Sequence, residues 1–354
     1  MSTTTASVSP AVGDSYHLRG SVLPKPVLPG IASAAIVITI LLYTVAPIHS
    51  KIQFVLIAAI LYVIGQTVAS TIVEGSRKAR DRFATTAVLV AFLLALIPLV
   101  AVMASVIQKG GGRLDYQFLT HSMRGVGARD SDGGAYHAII GTLEQVLIAS
   151  VLAVPFSLLV SIYLVEYGRG RISRTISFFV DVLTGLPSII AGLFILAFYI
   201  IVLGQDFSGF AGSLALTILM IPTVVRSSEE MLKLVPHELR EASYALGVPR
   251  WRTILKVVLP TALPGIITGV MLAIARVAGE TAPLLLTVFG NDSINTDPFN
   301  GPQSALPLFI FSQAGAPQQV AVDRAWAGAL TLIIIVMALS LIGRLIARRA
   351  SVGR

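Results

Sequence analysis

Four ionisable side chains lie inside long apolar stretches of this sequence, at Glu144, Asp181, Arg276 and Glu280. A charge at membrane depth is costly unless it faces protein or water, so each of these residues is a candidate for function. Arg276 and Glu280 are four residues apart, a spacing that allows an ion pair across one helical turn. Two interpretations of this pair stay open: a structural pair that neutralises itself, or an arginine held in place for an anion.

An arginine at position 276 suits an oxyanion. It follows Pro260 by 16 residues, which is about 24 Å along a helix axis and reaches the outer half of a bilayer. Its guanidinium offers a planar fork of donors that matches the oxygens of a phosphate group. By contrast, we expect Asp181 to be an interfacial or packing residue near the inner end of a span, and Glu144 to lie near the outer interface.

A polar stretch, REASYALGVPRWRTILKVVLP at 240–260, separates two apolar runs. Pro236 and Glu238 suit the first turn of a helix that begins just before it. Gly247 is placed to end this helix, and Pro249 to begin the next one. A helix this short is marginal alone in water, so it needs a surface to pack on.

This short helix has a predicted small-to-apolar face, which consists of Leu239, Ala242, Ser243 and Leu246 at helical spacing. Such a face can lie on anionic lipid or dock in a groove of another protein. A lipid-surface helix has a more basic polar face and bulkier anchors, whereas four glutamates between 229 and 241 dilute the positive charge here. We therefore favour docking on a protein partner.

The elements that position these residues are membrane spans. The chain has 354 residues, of which 55% are hydrophobic and 12% are charged, about half the charged fraction of a soluble domain. This composition predicts an all-α, polytopic membrane protein with about eight transmembrane helices. The predicted spans are 31–48, 52–73, 85–107, 138–164, 176–203, 212–226, 260–288 and 326–346. Gly279 and Pro283 predict a kink near the end of the seventh span.

Basic residues are concentrated on one side of this topology. Eight spans place both termini on the same side, and most Lys and Arg residues flank the termini or follow the second, fourth and sixth spans. Fewer, among them Lys109, Arg113 and Arg324, fall on the other side. The asymmetry predicts that both termini and the 240–260 stretch are cytoplasmic.

Several chemistries have no support in the sequence. It contains no P-loop motif for ATP, no cysteine, and no histidine pair with metal-ligand spacing. The spans hold no nucleophile or metal constellation that would indicate an enzyme. We therefore expect no catalytic residue, no metal site and no binding of nucleic acid, and the energy for transport must come from another subunit.

The segment EASYALG at 241–247, with Val257 and LP at 259–260, resembles the EAA motif of ABC importer permeases. That motif reads EAA, three residues, Gly, nine residues, Ile, one residue, Leu-Pro; the spacing is kept, and Ser243 and Val257 replace Ala and Ile. In that family this helix is the coupling helix, which sits in a groove of the ATPase subunit. The resemblance implies an ATPase-docking site made of Glu241, Ala242, Ser243, Tyr244, Leu246 and Gly247.

Longer stretches narrow the resemblance to the PstA-type permeases of the phosphate importer. They are SRKARDRFATTAVLVAFLLALIPL at 76–99, the run at 133–167, GLPSIIAGLF at 185–194 and IARVAGETAPLLLTV at 274–288. The likeness covers about residues 75–350 and implies a type I permease core of six helices at 76–354, with the coupling helix at about 236–247. Residues 31–75 are then an N-terminal transmembrane hairpin extension, and 1–30 a disordered cytoplasmic tail.

The resemblance also implies a function and partners. The chain would be the permease subunit of an ATP-driven importer of inorganic phosphate in a prokaryotic cytoplasmic membrane, with Arg276 and Glu280 on the substrate path. Its partners would be a PstC-like permease, two PstB-like ATPases that use ATP and Mg, an external PstS-like phosphate-binding protein and membrane lipid, and the chain itself would bind no cofactor. Alternatives remain open: a permease for another oxyanion such as sulfate or phosphonate, the PstC-like partner, or a membrane scaffold or sensor that docks a cytoplasmic regulator.

Overall fold

The computed structural model describes residues 23–24, 26–45, 50–127 and 129–352. Within these ranges the regular structure is helical and no strand occurs, which confirms the all-α prediction. The helices are α1 Val27–Val45, α2 Lys51–Glu74, α3 Ser76–Gly111, α4 Tyr116–Thr120, α5 Tyr136–Ile162, α6 Arg171–Thr184, α7 Ser188–Ile195, α8 Gly209–Lys233, α9 His237–Ala245, α10 Arg250–Thr253, α11 Leu259–Ala278, α12 Ala282–Thr287, α13 Leu306–Ala314 and α14 Gln319–Val352. π-helical segments at Tyr163–Tyr167 and Leu196–Val202 extend α5 and α7, and a third at Ile254–Val258 joins α10 to α11. Of the predicted disordered tail at 1–30, residues 1–22 and 25 lie outside the described residues, and α1 begins at Val27.

Seven helical stretches of the described residues are long and apolar enough to cross a membrane: α1, α2, α3, α5, α8, α10–α11 and α14. An eighth span exists only as the broken pair of α6 and α7, whose axes are bent by 104°. The predicted fifth span at 176–203 is therefore present only as two helices with a sharp bend between them. Pro187 explains the break, because it lacks an amide hydrogen and disfavours helical backbone at the preceding residue.

Two further boundaries follow from local chemistry. α8 is longer than the predicted span at 212–226, because its last turns carry charges that pair with one another, Arg226 with Glu229 and Glu229 with Lys233. The kink predicted in the seventh span is confirmed, since α11 ends at Ala278 and α12 begins at Ala282.

The chain divides into two compact units, residues 1–102 and 103–354, with the division inside α3. In the second unit, α5 and α8 run in the same direction and α11 runs in the opposite one. Small residues of α5, Ala149 and Ala153, share a buried cluster with Leu216 and Met220 of α8, and such small residues let helices approach closely. We call the end of this bundle where α5 and α8 finish and α11 begins the α9 end, and the opposite end the α13 end.

The contact between α7 and α12 generates a first prediction. A Cβ atom added at Gly192 would lie 2.7 Å from the Cα atom and 2.9 Å from the carbonyl oxygen of Pro283. Because backbone atoms cannot move aside as side chains do, we expect Gly192→Ala to lower the free energy of unfolding by about 1–3 kcal/mol. The control is Gly111→Ala, whose Cβ would meet nothing within 4 Å. Thermal unfolding of both variants in one detergent tests the packing, and equal midpoints would contradict it.

Candidate functional site

The polar stretch folds into a short helix and a sharp turn. α9 runs from His237 to Ala245 after Pro236, as predicted. Gly247 has φ +73°, in the left-handed region that glycine adopts without cost and that commonly ends helices. Pro249 precedes the first residue of α10. The predicted stop at Gly247 and start at Pro249 are therefore confirmed.

α9 has two faces with different environments. Leu239, Ala242 and Leu246 are exposed, and Leu246 keeps 83% of its surface accessible. Ser243 was predicted on the same face, and this is wrong: it is only 8% exposed, and its Oγ lies 2.8 Å from Oγ1 of Thr253 in α10. The helix therefore offers an apolar outer surface while a hydroxyl pair fastens its inner face to α10.

Arg240 is the main attachment of the inner face of α9. Its guanidinium bonds Oε1 of Glu166 through Nη2 at 2.9 Å and Nε at 3.1 Å. It also donates to the carbonyl oxygens of Leu232 at 3.0 Å and Val235 at 2.5 Å, at the end of α8. The Arg240 and Glu166 side chains are 10% and 4% exposed, so this is a buried ion pair. It links α9 to the ends of both α5 and α8.

A second arginine fixes the end of α5 beside this pair. The guanidinium of Arg250, the first residue of α10, donates to the backbone oxygen of Glu166. It also lies over the ring of Tyr167, 4.9 Å from the centroid, a favourable cation–π distance. The π-helical end of α5 is thus held by Arg240 from α9 and by Arg250 from α10.

A further charged cluster joins α6 to α8 at the α9 end. Arg226 donates to Oδ1 of Asp181 at 2.5 Å and to Oε2 of Glu229 at 2.6 Å, and Lys233 pairs with Glu229 at 2.7 Å. Asp181 was predicted to be an interfacial or packing residue, and its bond across the two helices agrees with a packing role. The cluster fixes the helix that precedes the 104° bend.

Arg276 and Glu280 approach each other more loosely than helical spacing predicts. Nε of Arg276 lies 4.0 Å from Oε1 of Glu280, and the two side chains are 59% and 19% exposed. The cause is that α11 ends at Ala278, so Glu280 lies beyond the helix and not one turn along it. Over the described ranges, Glu280 is the only carboxylate within 4.0 Å of the Arg276 guanidinium. The donors of this arginine therefore remain available.

Glu144 takes part in a hydrogen-bonded network at the α13 end. Its Oε2 accepts a bond of 2.6 Å from Nε2 of Gln303. Gln145 donates to Oε1 of Gln303 at 2.9 Å, and the hydroxyl of Thr142 accepts from the backbone of Leu306 at 2.7 Å. These bonds fasten the segment before α13 to α5. Glu144 therefore serves as an anchor for this loop.

Two arginines fix the loop between α3 and α5. From the sequence alone, they are only part of the count of basic residues on each side of the membrane. Arg113 binds Asp115 and the carbonyl oxygens of Ser131 and Gly133. Arg324 of α14 is almost fully buried and donates to the carbonyls of Asp130 and Asp132. A bond of 2.7 Å from the Phe118 amide and the charge of Arg113 lower the pKa of Asp115. This loop is therefore a fixed surface at the α13 end.

Sequence reasoning missed Glu166 and Arg240, which the fold brings together from positions 74 residues apart. The one available signal was that Arg240 lies off the predicted apolar face of α9, one residue after Leu239. Among the described residues, no group of three or more His, Asp or Glu side chains could hold a metal ion.

Comparisons with known proteins agree with this architecture. Residues 153–352 match the family model described as binding-protein-dependent transport system inner membrane component. The chain is 50% identical over 271 residues to the phosphate transport system permease protein PstA 1 of Mycobacterium tuberculosis strain CDC 1551 / Oshkosh, covering 76% of this chain and 89% of the relative. It is 38% identical over 270 residues to the phosphate transport system permease protein PstA of Pasteurella multocida, covering 76% and 95%.

Among solved structures, a bacterial alginate ABC transporter in complex with a pentasaccharide-bound periplasmic protein has a chain of similar fold. The TM-score is 0.56 at 13% identity, over 76% of this chain and 95% of that chain. The chain therefore belongs to the family of binding-protein-dependent transport system inner membrane components, and it is a multi-pass membrane permease subunit of the ABC transporter type.

Proposed function

We propose that this chain is the permease subunit of an ATP-driven importer that moves inorganic phosphate across the cytoplasmic membrane. The observation that carries the proposal is the division of α9 into an inner face bound to the bundle by Arg240 and an exposed apolar outer face. A helix with this division can receive force from a partner and pass it to α5 and α8. Phosphate is suggested by relatives at 38–50% identity, which are phosphate transport system permeases.

In this proposal the outer face of α9 docks on an ATPase subunit. Leu239, Ala242 and Leu246 are exposed at helical spacing, and such apolar anchors suit a groove on a partner. Tyr244 is also exposed, on another side of the helix. ATP and Mg are bound by two PstB-like ATPases, and this chain binds no cofactor. The excess of basic residues puts α9 and both termini on the cytoplasmic side.

We further propose that Arg276 and Glu280 lie on the translocation path. Conduction needs sites that hold the ion only briefly, and the contact of 4.0 Å leaves donors of Arg276 free for an anion. A PstC-like permease completes the path around this exposed side chain. A PstS-like protein delivers phosphate at the α13 end, where the fixed loop between α3 and α5 offers a surface.

A first test addresses the docking face. We expect Leu246→Asp to lower ATP-driven phosphate uptake in membrane vesicles by at least about tenfold, because a charge replaces an exposed apolar anchor. Leu246→Met keeps the anchor apolar and should transport normally. Both variants should reach the membrane in wild-type amounts, and an ATPase subunit should co-purify with Leu246→Met alone. Normal uptake by Leu246→Asp would remove this face from the mechanism.

A second test addresses the path. We expect Arg276→Ala to reduce uptake by about tenfold or more, the loss typical of a charged hydrogen-bond donor. Arg276→Lys keeps the positive charge but loses the planar fork of donors. Its uptake should therefore lie between that of the wild type and that of Arg276→Ala. The control is Arg174→Ala, an exposed arginine of α6 that lies outside both proposed sites. Competition by sulfate and phosphonate against labelled phosphate tests the anion. If Arg276→Ala transports normally with the complex intact, the residue is only structural.

A third test separates two roles of the Arg240–Glu166 pair, which are to stabilise the fold and to transmit movement from α9 to α5. Arg240→Met leaves Glu166 buried without its partner and should destabilise the chain by about 3–5 kcal/mol. The double variant Glu166→Leu/Arg240→Met removes both charges, so thermal unfolding should recover. We expect uptake to stay low in the double variant, because the link between α9 and α5 is gone. Recovery of both stability and uptake would show that the pair has a structural role alone.

A further inference from the structure

The facing sides of α2 and α3 form one groove within the first unit. Three adjoining cavities of about 350, 380 and 660 Å³ run along it. The first two share Phe83, and the second and third share Leu56 and Leu94, so the groove is continuous. On α3 its lining extends from Ser76 to Val102, about 39 Å at the rise of a helix. That length is close to the thickness of a bilayer with its headgroup regions.

One end of the groove is polar and basic, and the rest is apolar. The cavity at the start of α3 is lined by Thr67, Thr71, Ser76 and Arg80. Arg77 is exposed beside it, and the first amides of a helix attract anions. Beyond Phe83, the lining of both remaining cavities is aliphatic.

Two polar contacts hold the basic end in shape. Gln66 of α2 donates to Thr86 of α3 at 2.8 Å. Arg82 binds the buried carboxylate of Glu74 at 2.7 Å. Because Glu74 is neutralised by Arg82, the positive charge of Arg80 faces the groove without a competing carboxylate from this pair.

We propose that the groove between α2 and α3 binds one anionic phospholipid, with its phosphate at the Ser76–Arg80 end and an acyl chain along Phe83–Leu94. One leaflet contributes about 15 Å of hydrocarbon, and Arg80 and Leu94 are about 21 Å apart along the helix axis. A headgroup at Arg80 thus places its acyl chain in the 380 Å³ cavity. The proposal gives the N-terminal hairpin a role, since α2 forms one wall of the site.

A transmembrane helix of another subunit is the competing occupant. With side chains it is about 10–12 Å wide, and along this groove it would lay apolar residues against Arg80 and three hydroxyl groups. That burial would take the guanidinium out of water without giving it an anion, which costs free energy for any charged group. The change from basic and polar to aliphatic along a single groove matches the chemistry of a phospholipid instead.

The test uses the full-length chain in nanodiscs that contain one of two photoreactive probes. The probes are phosphatidylglycerol and phosphatidylcholine with the same diazirine-bearing acyl chain. We expect phosphatidylglycerol to label residues 83–94 more strongly than phosphatidylcholine does. Arg80→Gln should weaken the phosphatidylglycerol labelling about fivefold, the effect of one basic charge at an anionic membrane surface. Arg174→Gln, at an exposed arginine of α6, is the control and should change nothing.

A second variant tests the groove itself. Ala87→Trp fills the 380 Å³ cavity and should reduce labelling by both probes, with thermal unfolding measured to establish that the variant is folded. Equal labelling by the two probes, or labelling confined to residues outside 83–94, would overturn the proposal. A photoreactive residue at position 91 that crosslinks to another subunit in the assembled transporter would also overturn it, because a partner helix would then occupy the groove.

Discussion

The arrangement of the second unit depends on one buried ion pair, that of Arg240 and Glu166. Removing two charges from water is expensive, and their attraction compensates only when the remaining donors and acceptors are bonded. Here the Arg240 guanidinium meets both the carboxylate and carbonyl oxygens at the end of α8. The inner face of α9 is therefore fixed to α5 and α8. Because the inner face is fixed, a force applied to the exposed face of α9 would be carried to the ends of α5 and α8.

The contrast with Arg276 shows how environment decides what an arginine can do. The Arg240 side chain is 10% exposed and its donors are engaged, whereas that of Arg276 is 59% exposed and 4.0 Å from its nearest carboxylate oxygen. A tight buried pair resists separation and so transmits displacement. A loose pair near water exchanges partners at little cost. The same residue type thus suits a mechanical role at the α9 end and an anion-binding role toward the end of α11.

Much of this architecture follows from local sequence signals. Apolar runs predict the spans, because a bilayer needs roughly 17–25 such residues. Pro236, Gly247 and Pro249 predict the bounds of α9 through their backbone preferences. The orientation of Ser243 could not be predicted, since helical spacing alone does not say which neighbour covers which side. The pairing of Glu166 with Arg240 depends on tertiary packing across 74 residues, and no periodicity encodes it.

Two departures of the structure from the sequence interpretation have one physical origin, because neither hydropathy nor residue spacing shows where a helix breaks or ends. Hydropathy measures how apolar a stretch is, but not the direction in which the chain runs. The stretch at 176–203 is therefore predicted as one span, although the helices on either side of Pro187 are bent by 104°. Likewise, the predicted pair of Arg276 and Glu280 is present but loose at 4.0 Å, because α11 ends at Ala278, before Glu280.

The contacts of α9 reach the bundle where two helices depart from α-helical geometry. Glu166 lies in the π-helical segment that ends α5, and Thr253, the partner of Ser243, directly precedes the π-helical segment that leads into α11. π-Helical turns occur mostly as single insertions inside α-helices, frequently at functional sites. Their hydrogen-bond ladder differs from that of the α-helix, so a local change of twist there need not break the regular helix beyond it. In the proposed function, a displacement of α9 would therefore reach α5 and α11 at these π-helical segments.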